Sequence, residues 1–431
     1  MSRPSWMPWL EAAVAFERAL LTVSAEWIAR VPSLHDKIAL CRWVWSAAER
    51  VRRQSQTLPH DRRAVAIDGG LDAGARALLA GLRDAPSARA FMGGLEAILA
   101  PAAAAAYTRA AGDGPRWAAA SNRSAAVFYG AVARRVVRRR RRRAWEPDER
   151  AHLGRVERLT TCVRTLRPAP DRTVERCAPL MRPERDRAIR ALRRGERRHE
   201  QWVVTSRRDE QQYLHQMIAF EIAAFEAVGR HVAEFPEMPW AFQRDMAVQV
   251  RDELSHLLLW TERLASRGGR LGAYALSALE FDACAGAGLS DRLALLQRLI
   301  EGGALEALDL NRALWESRGD PRMVACVVRV QRDEIRHVRQ GNRWLRWLAG
   351  DEPTLRDTVA RAEDAMRARL LEAARELEAA GVAAAGNTEL MRLKLDEGRM
   401  LPVNPALRRC AGFSGREIES ECARRALGAC P

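Results

Sequence analysis

The chain has 431 residues, with 71 Lys or Arg against 55 Asp or Glu and a formal net charge of +16. This length suits two or three domains and leaves ample chain for a buried core. The charge is concentrated: residues 131–208 hold 25 Arg against 10 acidic residues, so the remainder is near neutral and a generally basic surface is excluded.

Ala, Leu, Arg and Glu dominate, which favours helix. Runs of Val, Ile and Thr alternating with period two are nearly absent, so the expected fold is all-α. In chain order, helices are expected over 5–30 and 36–56, followed by a loop at 57–74 marked by Pro59, Gly69 and Gly70. Further helices are expected over 75–82 and 88–110, the second kinked at Pro101. After the turn at 112–115 a helix runs into an arginine run at 138–143. Residues 145–200 are polar and Arg-rich with five interrupting prolines, which reads as a partly helical linker. A long helix over 197–234, a turn at 235–239 and a helix ending at 267–269 come next. A short helix within 273–284, a helix over 290–316, a turn at 318–321 and a helix to about 350 complete the pattern. The expected divisions are 1–144, a linker at 145–204, a bundle at 205–350 and a helical tail at 351–431.

Two stretches stand out, Asp252-Glu253-Leu254-Ser255-His256 and Asp333-Glu334-Ile335-Arg336-His337. Both read Asp-Glu-x-x-His, and residues three apart share a helix face, so each Glu and its His can reach one point. Such a pair is half of a dinuclear metal site in a four-helix bundle, the other half being one inward Glu from each of two more helices. In an antiparallel hairpin, residues equally far from the turn lie at equal height. Reflection through the turn at 235–239 carries the first motif to Glu221, and reflection through 318–321 carries the second to Glu301. Each lies roughly 25 Å along its helix from the turn. The spacings agree, 32 residues from Glu221 to Glu253 and 33 from Glu301 to Glu334.

The candidate ligands are therefore Glu221, Glu253, His256, Glu301, Glu334 and His337. Hard carboxylates with two imidazoles suit iron or manganese. Asp252 and Asp333 can each accept the other ring N–H of the opposite histidine, Asp252 from His337 and Asp333 from His256. Glu226 and Glu306 lie five residues after Glu221 and Glu301, about 140° around the helix, so they read as supporting or structural. Glu306 is the more serious rival to Glu301.

The arginine run Arg138, Arg139, Arg140, Arg141, Arg142 and Arg143 could grip a phosphate backbone. A solvated helix end and linker is favoured over a nucleic-acid partner, because aromatics for base stacking are sparse there. The eight cysteines form no Cys-x-x-Cys pair, and the N-terminus lacks a charged segment followed by an apolar run. No stretch approaches the ~20 apolar residues needed to span a bilayer. A cytoplasmic chain with reduced thiols and no membrane partner is expected.

The two motifs and their reflected glutamates resemble the ferritin-like di-iron carboxylate superfamily. A nearer resemblance is to an uncharacterised ferritin-like family distantly akin to the tRNA hydroxylase MiaE. It rests on Phe220-Glu221-Ile222-Ala223-Ala224-Phe225-Glu226, on Asp333 to Val338 with Gly341-Asn342-Arg343-Trp344, and on Pro402-Val403-Asn404, Arg408 and Ala411-Gly412-Phe413-Ser414. It covers about 210–420. The resemblance implies a four-helix bundle with a dinuclear iron centre in which Glu253 and Glu334 bridge the metals. Some superfamily members carry a radical Tyr four residues past the first motif His; Trp260 stands there, and reads as core packing.

The same ruler finds a second copy near the N-terminus. Glu17 to Glu49 is 32 residues, Glu49 to Glu96 is 47, and 33 further is Tyr129. Arg52 and Val132 hold the histidine positions. Residues 5–137 are therefore expected to form a degenerate ferritin-like bundle without a metal site, Arg52 neutralising Glu17 and Glu49. The expected function is a di-iron, or iron–manganese, oxidoreductase that activates O₂ to hydroxylate or oxidise an organic substrate with an external electron donor. The alternatives are a hydroxylase directed to RNA or nucleotides through 131–208, and a non-catalytic metal-binding protein.

Overall fold

A computed structural model of the chain describes residues 6–113, 115–139, 145–170, 172, 175–190, 204–274, 276, 278–379 and 403–427. The described chain is helical almost throughout, as the composition requires. Its one two-residue strand pair, Gly70–Leu71 against Pro168–Ala169, is antiparallel. The chain divides into two compact units: Met1–Ala178 with Val232–Ala247, and Pro179–His231 with Val248–Pro431.

In the first unit, α1 (Trp6–Ile28) and α2 (Leu34–Gln56) form one hairpin. Next come α3 (His60–Asp68) and α4 (Ala73–Arg83). The helix Ala88–Asp113 consists of α5 (Ala88–Met92), a π-helical turn Gly93–Leu99 and α6 (Ala100–Asp113). It forms a second hairpin with α7 (Arg116–Arg139), and α8 (Pro147–Leu159) follows. The helix α3 lies inside the expected loop: Pro59 and Gly69 only bound it, while Ala66 packs on Leu10, Val14, Val51 and Leu58. The helix continues through Pro101. The preceding π turn directs the Ala100 N–H to Leu95 O, and this wider turn accommodates the missing proline donor and its ring.

The first unit also extends beyond the expected boundary at 144. A reciprocal capping box between Glu146 and Glu149, with Pro147 in the first turn, starts α8 within the expected linker. Its Leu153 and Val156 are buried, which makes this stretch part of a core. By length and composition Ala88–Asp113 could cross a membrane, but 61 % of its apolar window is buried inside the protein.

In the second unit lie parts of α9 (Arg207–Glu234) and α10 (Trp240–Ser266), then α11 (Leu279–Cys284). The next long helix consists of α12 (Leu289–Leu293), a π turn Ala294–Ile300 and α13 (Glu301–Ser317). Asp320 caps α14 (Pro321–Ala349) by accepting from the Met323 N–H, with Pro321 pre-set for the first turn. After α15 (Glu352–Ala379), the chain closes with α16 (Pro405–Cys410) and α17 (Gly415–Leu427).

The closing segment clasps α13 and α14. Arg408 makes two buried bonds to Glu306, 2.8 and 2.7 Å. Asn342 donates to Ala411 O, and Glu417 accepts from both Arg298 and Arg346. Beneath lie Leu305, Val338 and Ala411, joined by Phe413. Gly412, at φ +81, provides the left-handed turn between α16 and α17. Each unit carries a seven-residue π turn inside a long helix, Gly93–Leu99 in the first and Ala294–Ile300 in the second.

Candidate metal centre

Four helices of the second unit each send one glutamate to a common point: Glu221 from α9, Glu253 from α10, Glu301 from α13 and Glu334 from α14. All four are buried, and His256 and His337 are fully so. Two groups have their ligating atoms mutually within 4.8 Å: Glu253, Glu301, Glu334 and His337, and Glu221, Glu253 and His256. All six residues found by motif and reflection thus meet in one cluster.

Glu253 and Glu334 occupy its middle. Glu253 sets Oε2 3.3 Å from His256 Nδ1 and Oε1 3.3 Å from His337 Nδ1. Glu334 sets Oε1 3.6 Å from His256 Nδ1 and Oε2 3.3 Å from His337 Nδ1. Each motif glutamate therefore reaches both histidines with separate oxygens. Glu221 lies on the His256 side, Oε2 3.4 Å from Nδ1.

The outer imidazole nitrogens are held by the aspartates, crosswise. His337 Nε2 lies 3.2 Å from Asp252 Oδ2, and His256 Nε2 lies 3.3 Å from Asp333 Oδ2. Arg336 donates to both aspartates, and Arg251 and Arg332 add bonds to Asp252 and Asp333 respectively. Ionised aspartates facing Nε2 place a proton there, which aims each Nδ1 at the carboxylates.

Three further contacts were not legible as such. Trp260 Nε1 donates to Glu221 Oε1 at 2.8 Å, so this residue is a partner of the cluster as well as core packing. Gln249 Nε2 donates to Glu301 Oε1 at 2.6 Å and to Glu253 Oε1 at 3.1 Å. Gln297, in the π turn, donates to Gln249 Oε1 at 3.1 Å. All three lie four residues from a cluster residue, Gln249 before Glu253, Gln297 before Glu301 and Trp260 after His256. That same-face spacing was the available signal. Gly341 lets α14 approach Gln297, since a Cβ there would sit 2.3 Å from Gln297 Cβ.

The electrostatics are those of concentrated negative charge in a dry site. Burial lifts the Glu221 carboxyl to about 8. Burial, then repulsion from Glu334, lifts Glu301 well above the carboxylate range. Burial acts upward on Glu253 too, but His337 and His256 bring it well below that range. Burial opposes charge on both imidazoles, yet Glu221 and Asp333 hold His256, and Glu253 and Glu334 hold His337, well above ordinary values. The cluster thus keeps protons where a cation would otherwise balance it. Glu301 Oε2 is buried without a hydrogen-bond partner, and His256 Nδ1 lies among three carboxylate oxygens at 3.3–3.6 Å with no aligned hydrogen bond to any of them. Carboxylates, two imidazoles and orphaned inward donors fit divalent metal ions.

Glu226 and Glu306 are structural. Glu226 forms a buried ion pair with Arg185, and Glu306 accepts from Arg408 and from the Asn404 N–H, which separates it from Glu301.

The first unit departs from the expected constellation. Glu17 is buried, accepts from Tyr107 Oη and Tyr129 Oη at 2.7 Å each, and pairs with Arg50 Nη2 at 2.8 Å. Glu49 instead pairs with Arg52 and Arg53, and both Glu49 and Glu96 are only half-buried. The correction is one of helical phase: α2 turns Ala47, Ala48, Arg50, Val51 and Gln54 inward, so Arg50, not Arg52, neutralises Glu17. Of the expected residues, Tyr129 meets Glu17 and Arg52 pairs with Glu49 at 3.0 Å, as two separate pairs. Arg140, Arg141, Arg142 and Arg143, and the side chains of Arg138 and Arg139, lie outside the described residues.

No curated protein and no solved structure matches the chain. The model of a family described as "Protein of unknown function (DUF455)" matches residues 145–419, well over half of the sequence, and the chain belongs to that family.

Proposed function

We propose that residues 205–350 form a ferritin-like bundle around a dinuclear centre of iron, or of iron with manganese, and that the protein is an oxidoreductase. It would use O₂ to hydroxylate or otherwise oxidise an organic substrate, with electrons from an external donor. The observation that carries this reading is that Glu253 and Glu334 each span both His Nδ1 atoms, with one further glutamate beside each histidine.

His256 and Glu221 would hold one metal and His337 and Glu301 the other, with Glu253 and Glu334 shared. Bound iron or manganese supplies the redox chemistry that O₂ activation needs. The protein's contribution is positional and electrostatic. Four carboxylates match the charge of two divalent ions, Asp252 and Asp333 fix the imidazole tautomers, and burial limits water and competing ligands. The first unit supports the reading by contrast. Its helices α1 and α2 bury an ion pair of Glu17 with Arg50, as expected of a copy that has lost its metal site.

The test is O₂ consumption after anaerobic loading with Fe(II). Uptake above that of free Fe(II), lost in His256→Ala, is expected. Bound metal with no excess uptake would leave a metal-binding protein and refute the oxidoreductase assignment.

A further inference from the structure

The two outer glutamates are treated alike by unlike partners. Glu221 has Oε1 taken by the Trp260 indole N–H at 2.8 Å, which leaves Oε2 toward His256. Glu301 has Oε1 taken by the Gln249 amide at 2.6 Å, which leaves Oε2 buried with no partner. Trp260 and Gln249 are themselves fully buried. The amide orientation of Gln249 follows from its neighbours: Gln297 donates to its Oε1, so its NH₂ must face the carboxylates. Glu253 and Glu334 direct both oxygens to the two histidines, and Glu253 Oε1 also accepts a longer bond from Gln249 Nε2, 3.1 Å against 2.6 Å to Glu301.

A carboxylate can bind a metal through one oxygen or through both. A hydrogen bond on one oxygen withdraws its lone-pair density and fixes the plane of the group, which favours binding through the other. We infer that Trp260 and Gln249 are positioning residues that hold Glu221 and Glu301 to one-oxygen coordination, keeping a place on each metal open to a small exogenous ligand. This rests on the dinuclear reading and specifies how the same site stays accessible. Neither residue touches the metal. A catalytic centre needs a free position where a structural one is closed, and here the means lies in two bonds outside the ligand set.

The test loads the full chain anaerobically with Co(II) and titrates azide, following the visible absorption, whose intensity reports coordination number. Trp260→Phe deletes one N–H with little change of shape, and Gln249→Met deletes the amide at similar volume. Each variant is expected to keep its metal and to bind azide about tenfold or more weakly than wild type, because the released carboxylate closes on the metal. Wild-type azide affinity in both metal-loaded variants would overturn the inference and leave the metal reading standing. Loss of Co(II) from the variants would also overturn it, by showing that the bonds secure the ligand. A wild-type chain that takes up no Co(II) would remove the dinuclear reading itself and this inference with it.

Discussion

Replacing Gly341 by Ala tests whether the cluster depends on a close helix approach. The added Cβ would lie 2.3 Å from Gln297 Cβ and 3.1 Å from its Cγ. Both Cβ atoms are fixed by their backbones, so no rotamer relieves the clash. The separation must grow by roughly 1 Å to reach ordinary contact, and α14 must move away from the π turn at Ala294–Ile300. Overpacking of this kind costs about 1–3 kcal/mol, partly offset by about 1 kcal/mol of helix propensity gained over Gly. Any part of the shift taken up by the π turn draws Gln297 away from Gln249, whose bonds orient Glu301 and Glu253. Hydrogen–deuterium exchange of metal-free protein, read in peptides of α10 and α14, isolates this region from the rest of the chain. Gly303→Ala is the control, because nothing lies within 4 Å of its added Cβ. Faster exchange in Gly341→Ala and slower exchange in Gly303→Ala are expected. If both variants slow exchange, the close approach is not a constraint and the buttress role of Gly341 is wrong.

Glu306→Gln or Arg408→Met alone should cost about 3–5 kcal/mol by stranding a buried charge, whereas Glu306→Leu with Arg408→Met should recover most of it. Denaturant titration measures this, and metal content should be unchanged; loss of metal in Glu306→Gln would restore Glu306 as a ligand. Glu17→Gln should destabilise by a similar amount, since Arg50 would lose its buried counter-charge, and it too should leave metal content untouched. Metal-free and metal-loaded protein should respond oppositely to pH. Burial lifts Glu221 to about 8 and raises Glu301, and both histidines are raised, so these groups bind protons more tightly folded than unfolded. Metal-free stability therefore falls as pH rises toward 8, while metal affinity rises over the same interval because metal displaces those protons. Thermal melts and Mn(II) titrations across that interval check both signs; parallel slopes would contradict the proton accounting.

Much of the site could be read from spacing. The i, i+3 rule joined each Glu to its His, and reflection through two turns supplied Glu221 and Glu301, because equal distance from a tight turn fixes height. Height does not fix phase, however. Glu49 is only half-buried and pairs with Arg52, while Arg50 takes the inward position assigned to Arg52. The amides Gln249 and Gln297 carry no motif of their own, and their role depends on a π turn that alters helical phase just before Glu301. Pro59, Gly69 and the prolines after 144 marked real boundaries, but they concealed α3 and α8, which bury apolar residues between them. Trp260 read as core packing because burial and spacing show only that it faces inward, not that its N–H meets a carboxylate.

Metal analysis with Mössbauer spectroscopy, on protein reconstituted anaerobically with iron, tests the dinuclear assignment most directly. Two iron ions per chain, one for each ligand group and both lost in His256→Ala with His337→Ala, are predicted. Less than one metal per chain, unchanged by His256→Ala, would contradict it.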